Sequence, residues 1–215
     1  HKHYNIFLIF EPKCRLVMSL SVKDKVINHF VTRYILEAKL SKYLDCRNVA
    51  TRKGMGTDYA IRKVIKYINI LKRKYKIFYV LKLDISKYFY CIDHEVLKGL
   101  LIDKLDDYEY NIVSDIVDTT NNEYINKTIN RLKEDRDIPN YLYGKGLPIG
   151  NMTSQFLSIY YLYKLDYFIV HDLGLKYYIR YMDDFIILDS DLEKLKEAKE
   201  KIVEKLEMKY KLKVN

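Results

Sequence analysis

Tryptophan is absent from the 215 residues, proline occurs three times, glycine seven times and cysteine three times. So little proline and glycine excludes a collagen-like or low-complexity chain. Cys14, Cys46 and Cys91 are odd in number, widely spaced and without a CxxC pair, which excludes a disulfide framework or a cysteine zinc site. They read as free thiols of a reducing cytosol, so a cytoplasmic protein is expected. No signal peptide opens the sequence, and its apolar runs are too short and too interrupted to cross a bilayer, so no membrane partner is expected. The first residues, HKHY, include no initiating methionine, and the chain stops at Asn215 just after a helical pattern, as expected of an excised piece.

Against these absences stands a composition that is 49% hydrophobic, enough for a sizeable core in one large domain or two small lobes. Lys and Arg number 38 against 29 Asp and Glu, a net charge of +9 that favours a polyanionic partner. Richness in Lys, Ile, Tyr and Asn, typical of AT-rich genomes, gives the same charge without one.

The pattern along the chain mixes helix and strand, an α/β chain of the α+β kind. Tyr4 to Phe10 reads as a strand, Glu11 to Arg15 as a turn and Leu16 to Leu20 as the hairpin partner. Lys23 to Leu44 carries apolar residues at helical spacing. A glycine-bearing loop, TRKGMGTD over residues 51–58, precedes a helix running to about Lys74, capped by Thr57 or Asp58. Ile77 to Ile85 is an apolar strand, and His94 to Tyr143 is mostly helical with a loop near residues 119–122. The loop GKGLPIG leads into a helix over Ser154 to Val170, and Asp191 to Tyr210 is a charged amphipathic helix.

Two carboxylates interrupt the run YIRYMDDFIIL, residues 178–188, which otherwise has the β-branched and aromatic content of a buried strand. A tight turn between antiparallel strands resolves the conflict by setting Asp183 and Asp184 at an exposed tip. Their mutual repulsion calls for a counter-charge. Basic side chains supply it on one reading and a divalent cation on the other, since hard cations prefer carboxylate oxygens. Asp84 closes the strand YVLKLD and is placed to join the pair at a sheet edge. Three converging carboxylates suit a two-metal site, in which one ion acidifies the attacking hydroxyl and the other stabilises the leaving oxygen of a phosphoryl transfer.

These segments together resemble reverse transcriptases over nearly the whole chain. YMDD at 181–184 is similar to the family's YxDD motif, and LDISKYF at 83–89 to the strand bearing its first metal-binding aspartate. GLPIGNMTSQ at 146–155 is similar to the loop and helix that receive nucleotide and template. EPKCRLV and RKGMGT resemble fingers segments of bacterial retroelement enzymes. The resemblance implies a right-hand polymerase fold without a thumb, its antiparallel palm sheet flanked by helices. Residues 1–78 would be fingers, with 98–145 inserted between palm segments 79–97 and 146–215. It implies RNA-templated DNA synthesis with two Mg²⁺ or Mn²⁺ ions, an RNA template, a DNA or RNA primer, deoxynucleoside triphosphates and an accessory protein; the truncated piece need not itself be active.

By the same resemblance Asp84, Asp183 and Asp184 are catalytic metal ligands, joined by the Ile85 carbonyl. Phe89 excludes a ribose 2′-hydroxyl, Lys13 and Arg15 meet the triphosphate, and Ile149, Gly150 and Gln155 lie in the nucleotide-receiving segment. Arg52, Lys53, Gly54 and Gly56 approach template phosphates. The family's common loop is GxPQG followed by SP; Ile149 stands where Gln is usual and Gln155 where Pro is usual. IGNMTSQ is similar to the loop of diversity-generating retroelements, whose copying is error-prone. Group II intron, retron and phage-defence enzymes are the alternatives, as is a nonenzymatic nucleic-acid-binding scaffold on the same fold.

Overall fold

The computed structural model describes residues 3–10, 14–134 and 136–215. In chain order the strands and helices are β1 (Asn5–Ile9), β2 (Arg15–Ser19), α1 (Val22–Phe30), α2 (Ala38–Leu40), α3 (Thr57–Lys74), β3 (Tyr79–Asp84), α4 (Tyr88–Cys91), α5 (His94–Leu101), α6 (Asp107–Val117), α7 (Glu123–Leu132), α8 (Met152–Tyr161), α9 (Tyr163–Tyr167), β4 (Tyr177–Tyr181), β5 (Asp184–Asp189) and α10 (Leu192–Tyr210). The chain forms two compact units, residues 1–42 with 87–161, and residues 43–86 with 162–215.

In the first unit β1 and β2 form the expected antiparallel hairpin, with Asn5 opposite Ser19 and Ile9 opposite Arg15. The turn expected at Glu11 to Arg15 falls largely on residues 11–13, outside the described residues. Alternation turns Leu16 and Met18 inward, where they meet Ile125 and Ile129 of α7 with Tyr4, Leu20, Ile138 and Tyr141. The helix expected over Lys23 to Leu44 is helical to Tyr43 but not uniform: α1 gives way to a π-helical stretch, Val31–Glu37, before α2 and a final 3₁₀ turn. At that transition the Thr32 hydroxyl donates to the Asn28 carbonyl at 2.8 Å, so a side chain enters the backbone ladder. The polar stretch from His94 to Tyr143 resolves into α5, α6 and α7. Asp93 caps α5 through the Val96 amide, and Asp106 with Glu109 forms a capping box on α6.

The second unit is a three-stranded antiparallel sheet in the order β3-β5-β4. Its pleat sends Asp84, Asp184, Ile186, Leu188 and Ile179 to one face. On that face α3 packs through Tyr67 and Leu71 against Ile179 and Leu188. Leu83, Phe185, Ile187 and Tyr178 on the other face are all buried. Helix α10 lies against β3 and β5 with Leu195, Ala198, Ile202 and Leu206 buried, the apolar side of its amphipathic pattern. Two local expectations are corrected. Gly56, at φ 135°, occupies the N-cap of α3 in place of Thr57 or Asp58 and offers no side-chain cap. The helix expected over Ser154 to Val170 breaks at Leu162, whose φ of −104° and ψ of 15° end α8 before α9 begins.

A buried amide fixes α1 against α8. Asn28 Nδ2 donates to Thr153 Oγ1 at 3.0 Å, and the Thr153 backbone N–H donates to Asn28 Oδ1 at 3.1 Å. Asn28→Ala strands both Thr153 groups in a dry site, and we expect a loss of about 1–3 kcal/mol of unfolding free energy in urea titrations.

Candidate active site

The three aspartates are brought together by strand register. Asp84, last residue of β3, pairs directly with Asp184, first residue of β5, so both carboxylates emerge on one face at one end of the sheet. Asp183 belongs to the two-residue turn Met182-Asp183 that joins β4 to β5. One carboxylate oxygen from each aspartate lies within 4.8 Å of the others. The tip is less open than the sequence suggests: Asp84 and Asp183 are half-buried, and the Asp184 side chain keeps 47% of its surface.

The neighbours of this cluster are polar. Lys82, two residues before Asp84 and on the same face, brings its Nζ to 3.5 Å from Asp184 Oδ1, a solvent-exposed pair of modest strength. Asn215 donates through Nδ2 to Asp84 Oδ2 at 2.6 Å and through its backbone N–H to the Asp84 carbonyl at 2.9 Å. Ile85 is buried and bridges to Val214. Both sources of counter-charge weighed from the sequence thus bear on the site: one lysine is present, and three hard oxygen donors with solvent access fit divalent magnesium or manganese.

Met182 has φ 56°, a left-handed conformation that a side chain makes costly. Its carbonyl accepts from Arg180 Nη1 at 2.9 Å, and Arg180 is completely buried. The same guanidinium grips Asp166 of α9 with two parallel bonds, Nε to Oδ1 at 2.7 Å and Nη2 to Oδ2 at 2.6 Å. Tyr178 adds a third, its hydroxyl donating to Asp166 Oδ1 at 2.6 Å. Burial first, and the Asp166 charge second, push the Tyr178 hydroxyl well above its ordinary range, so it remains a donor. A guanidinium fork matched to a carboxylate, with remaining atoms bonded to a hydroxyl and a turn carbonyl, is the geometry that makes a buried ion pair tolerable. Neither Asp166 nor this role of Arg180 was singled out from the sequence. The available signal was an aspartate within an apolar helical run and an arginine within an apolar strand, each too costly to bury alone.

The other site candidates divide between the two units. In the second, Arg52 Nη1 donates to the carbonyls of Asp45 (2.6 Å) and Asn48 (2.9 Å), so it braces its own loop, while Lys53 and Gly54 are exposed. In the first, Arg15 opens β2 and is exposed, and Lys13 lies outside the described residues. Phe89 is half-buried on α4, and its carbonyl accepts from the Leu147 amide at 2.7 Å. The Ile149 carbonyl accepts from the Met18 amide at 2.8 Å, which ties the loop to β2. Gly150 stands at φ 113°, where a side chain is strained, and a Cβ there would sit 3.0 Å from Val17 Cγ1, which would have to give way. Gly146 is tighter still, with the Tyr141 ring 2.4 Å from a Cβ placed there. His94 Nε2 lies 2.7 Å from the Gly146 carbonyl and supports the loop from α5. Gln155 is exposed on α8.

With this geometry, the comparison that decides the family is a match of residues 10–215 to the model of reverse transcriptase (RNA-dependent DNA polymerase). The chain belongs to the reverse transcriptase family. No curated protein matches it by sequence. Among solved structures it is similar to apo telomerase of Candida tropicalis truncated from its C-terminal domain, with a TM-score of 0.65, 16% identity, and coverage of 99% of this chain and 48% of that one. It is similar also to Candida tropicalis telomerase in complex with the TWJ fragment of telomeric RNA, at a TM-score of 0.67, 16% identity and 99% and 40% coverage. The corresponding Candida albicans complex gives 0.63, 16%, 99% and 41%. The chain therefore spans less than half the length of these structures. The fold is the fingers-and-palm type of the reverse transcriptase family, with antiparallel sheets flanked by helices. Among the described residues no helix is long and apolar enough to cross a membrane.

Removing one member of the buried pair leaves the other charged and dry. Arg180→Met is expected to cost about 3–5 kcal/mol of unfolding free energy, and Asp166→Leu with Arg180→Met to recover part of it. Chemical denaturation of the two variants and the parent protein measures both.

Proposed function

We propose that this protein is an RNA-directed DNA polymerase that adds deoxynucleotides to a primer on an RNA template. The observation that carries the reading is the convergence of Asp84, Asp183 and Asp184 within 4.8 Å in a chain of the reverse transcriptase family. The three carboxylates hold two divalent cations, Mg²⁺ or Mn²⁺, with the Ile85 carbonyl as a further donor. When bound there, such a pair supplies the positive charge that in-line phosphoryl transfer requires. Residues 1–78 with 98–145 serve as fingers, and 79–97 with 146–215 as palm.

Each remaining residue has a role set by its chemistry. Arg15 and Lys13 pair with the triphosphate, for which a fork and a point charge both suit. Phe89 offers a flat ring where a ribose 2′-hydroxyl would need room, so deoxynucleotides are favoured. Ile149, Gly150 and Gln155 receive the nucleotide, and Lys53, Gly54 and Gly56 let the backbone approach template phosphates, with Arg52 stiffening that loop. Within the family we place the chain with the enzymes of diversity-generating retroelements, on the strength of IGNMTSQ, and expect low-fidelity copying. An apolar Ile149 distinguishes a correct from an incorrect pair only by shape, worth about 1–3 kcal/mol, whereas an amide left unpaired rejects the wrong partner more strongly.

The activity test is incorporation of a labelled deoxynucleotide on a primed RNA by the full-length protein with Mg²⁺. Asp183→Asn is expected to reduce it by at least about 10²–10³-fold with the fold intact; retention of parental turnover would remove the polymerase reading. The subtype test is separate. Ile149→Gln is expected to lower the error frequency, roughly tenfold for each 1.4 kcal/mol of discrimination gained, in products sequenced at matched extension. Equal error spectra would leave the polymerase reading standing and end the assignment to an error-prone element.

A further inference from the structure

Helix α1 and the π-helical stretch that continues it bury Asn28, Val31, Thr32, Ile35 and Leu36, on the side that meets α8. The opposite side is apolar as well. Val22 keeps 80% of its surface exposed, Val26 66%, Phe30 57% and Tyr34 66%, and Ile27 beside them is also exposed. Single exposed apolar residues are ordinary, but a contiguous patch of them on one helical rod marks an interaction site. From Val22 to Tyr34 the row is about 18 Å long.

The row stays in line for a local reason. Residues four apart on an α-helix drift about 40° round the axis at each step, so a third step would carry Tyr34 off the line of Val22, Val26 and Phe30. The π stretch begins at Val31, directly after Phe30. Its i→i+5 bonding puts more residues into each turn and brings Tyr34 back beside Phe30, where the two rings pack with centroids 4.8 Å apart. Such π turns are rare and frequently lie at functional sites.

Charge runs alongside the row. Lys25, His29 and Arg33, again four apart, form a second exposed row on one flank, and Lys23 stands on the other. No exposed residue from Val22 to Tyr34 is acidic; Asp24 is half-buried and accepts from the Ser21 hydroxyl. Helices that pack along an apolar seam choose partners by the charges on its flanks. A second copy of this helix would set cation against cation. RNA gains most from flat rings with free faces, whereas Val22, Val26 and Ile27 are aliphatic and the two rings lie against each other. A lipid surface is met by a helix free to sink its apolar side among the headgroups, and this helix has its inner side committed to α8. The chemistry left is that of a protein helix with an apolar row and carboxylates along one edge.

We propose that the outer face of α1 and its π continuation docks an acidic amphipathic helix of a partner protein. Aliphatic side chains of that helix lie against Val22, Val26, Phe30 and Tyr34, and its carboxylates against Lys25 and Arg33. The apolar row supplies the affinity and the cationic row selects the partner and its direction. Nothing in this depends on the polymerase reading.

The test uses the full-length protein and a synthetic fluorescein-labelled helical peptide of about 20 residues, with leucines along one face and glutamates along one flank of it. A second peptide carries lysines in place of the glutamates, and anionic vesicles and a single-stranded RNA are run beside them. By anisotropy, the glutamate peptide is expected to bind at least roughly tenfold more tightly than the lysine peptide. Val26→Ser with Phe30→Ser should weaken it by roughly tenfold or more, the scale of a central interface residue, at low and high salt alike. Lys25→Glu with Arg33→Glu should reverse the preference between the two peptides, and the reversal should fade as KCl rises. All four side chains are exposed, so urea midpoints should stay at the parental value and separate docking from folding. Equal affinity for the two peptides, or no response to either double variant, would overturn the proposal. So would a row that the rest of the full-length chain covers, read as binding of neither peptide. Vesicles or RNA that bind more tightly than the glutamate peptide, and are lost in the same variants, would also overturn it.

Discussion

A buried guanidinium holds the aspartate cluster in place. Arg180 lies on β4, two residues before the Met182-Asp183 turn, and is bound on one side to the Asp166 carboxylate and on the other to the Met182 carbonyl. The turn needs that second bond because Met182 is held in the left-handed region, where a carbonyl with a fixed partner offsets part of the strain. Register supplies the rest: the pairing of Asp84 with Asp184 follows from six consecutive antiparallel pairs between β3 and β5. A slip of one residue would send Asp184 to the opposite, buried face. The network and the ladder therefore constrain different atoms of one site, the network fixing the turn that carries Asp183 and the ladder fixing the two acids on the strands.

The sequence carried the aspartates plainly because they violate their surroundings. Charged residues inside YVLKLDI and YMDDFIIL cannot be explained by strand packing, so the violation itself marks the site. Strands β3, β4 and β5 were legible from β-branched and aromatic runs, and α10 from its amphipathic repeat. The partner of Arg180 was not legible. Asp166 sits fourteen residues earlier in an apolar helical run, and nothing in a one-dimensional pattern says which of 29 acidic residues will meet which cation. The close approach at Gly146 was hidden for a related reason, since it arises from the way the Tyr141 ring folds back over the loop.

Local sequence rules also lost to local geometry in two places. Thr57 and Asp58 are better capping residues than glycine, yet Gly56 occupies the N-cap because the loop enters α3 at φ 135°, where a side chain is strained. The run from Ser154 to Val170 is uniformly helix-compatible, yet it is interrupted at Leu162, where φ is −104° and ψ 15°, a break that propensity does not encode. Both departures lie outside the aspartate cluster.

The proposed polymerase chemistry requires Asp84, Asp183 and Asp184 to act together as ligands of a cation pair. Electron paramagnetic resonance of Mn²⁺ bound to the full-length protein, with primed RNA template and a non-hydrolysable deoxynucleotide, tests that most directly. A spin-coupled manganese pair about 3.5–4 Å apart is the predicted result, and it should be lost in Asp84→Asn. An uncoupled ion, or a coupled pair that survives Asp84→Asn, would contradict it.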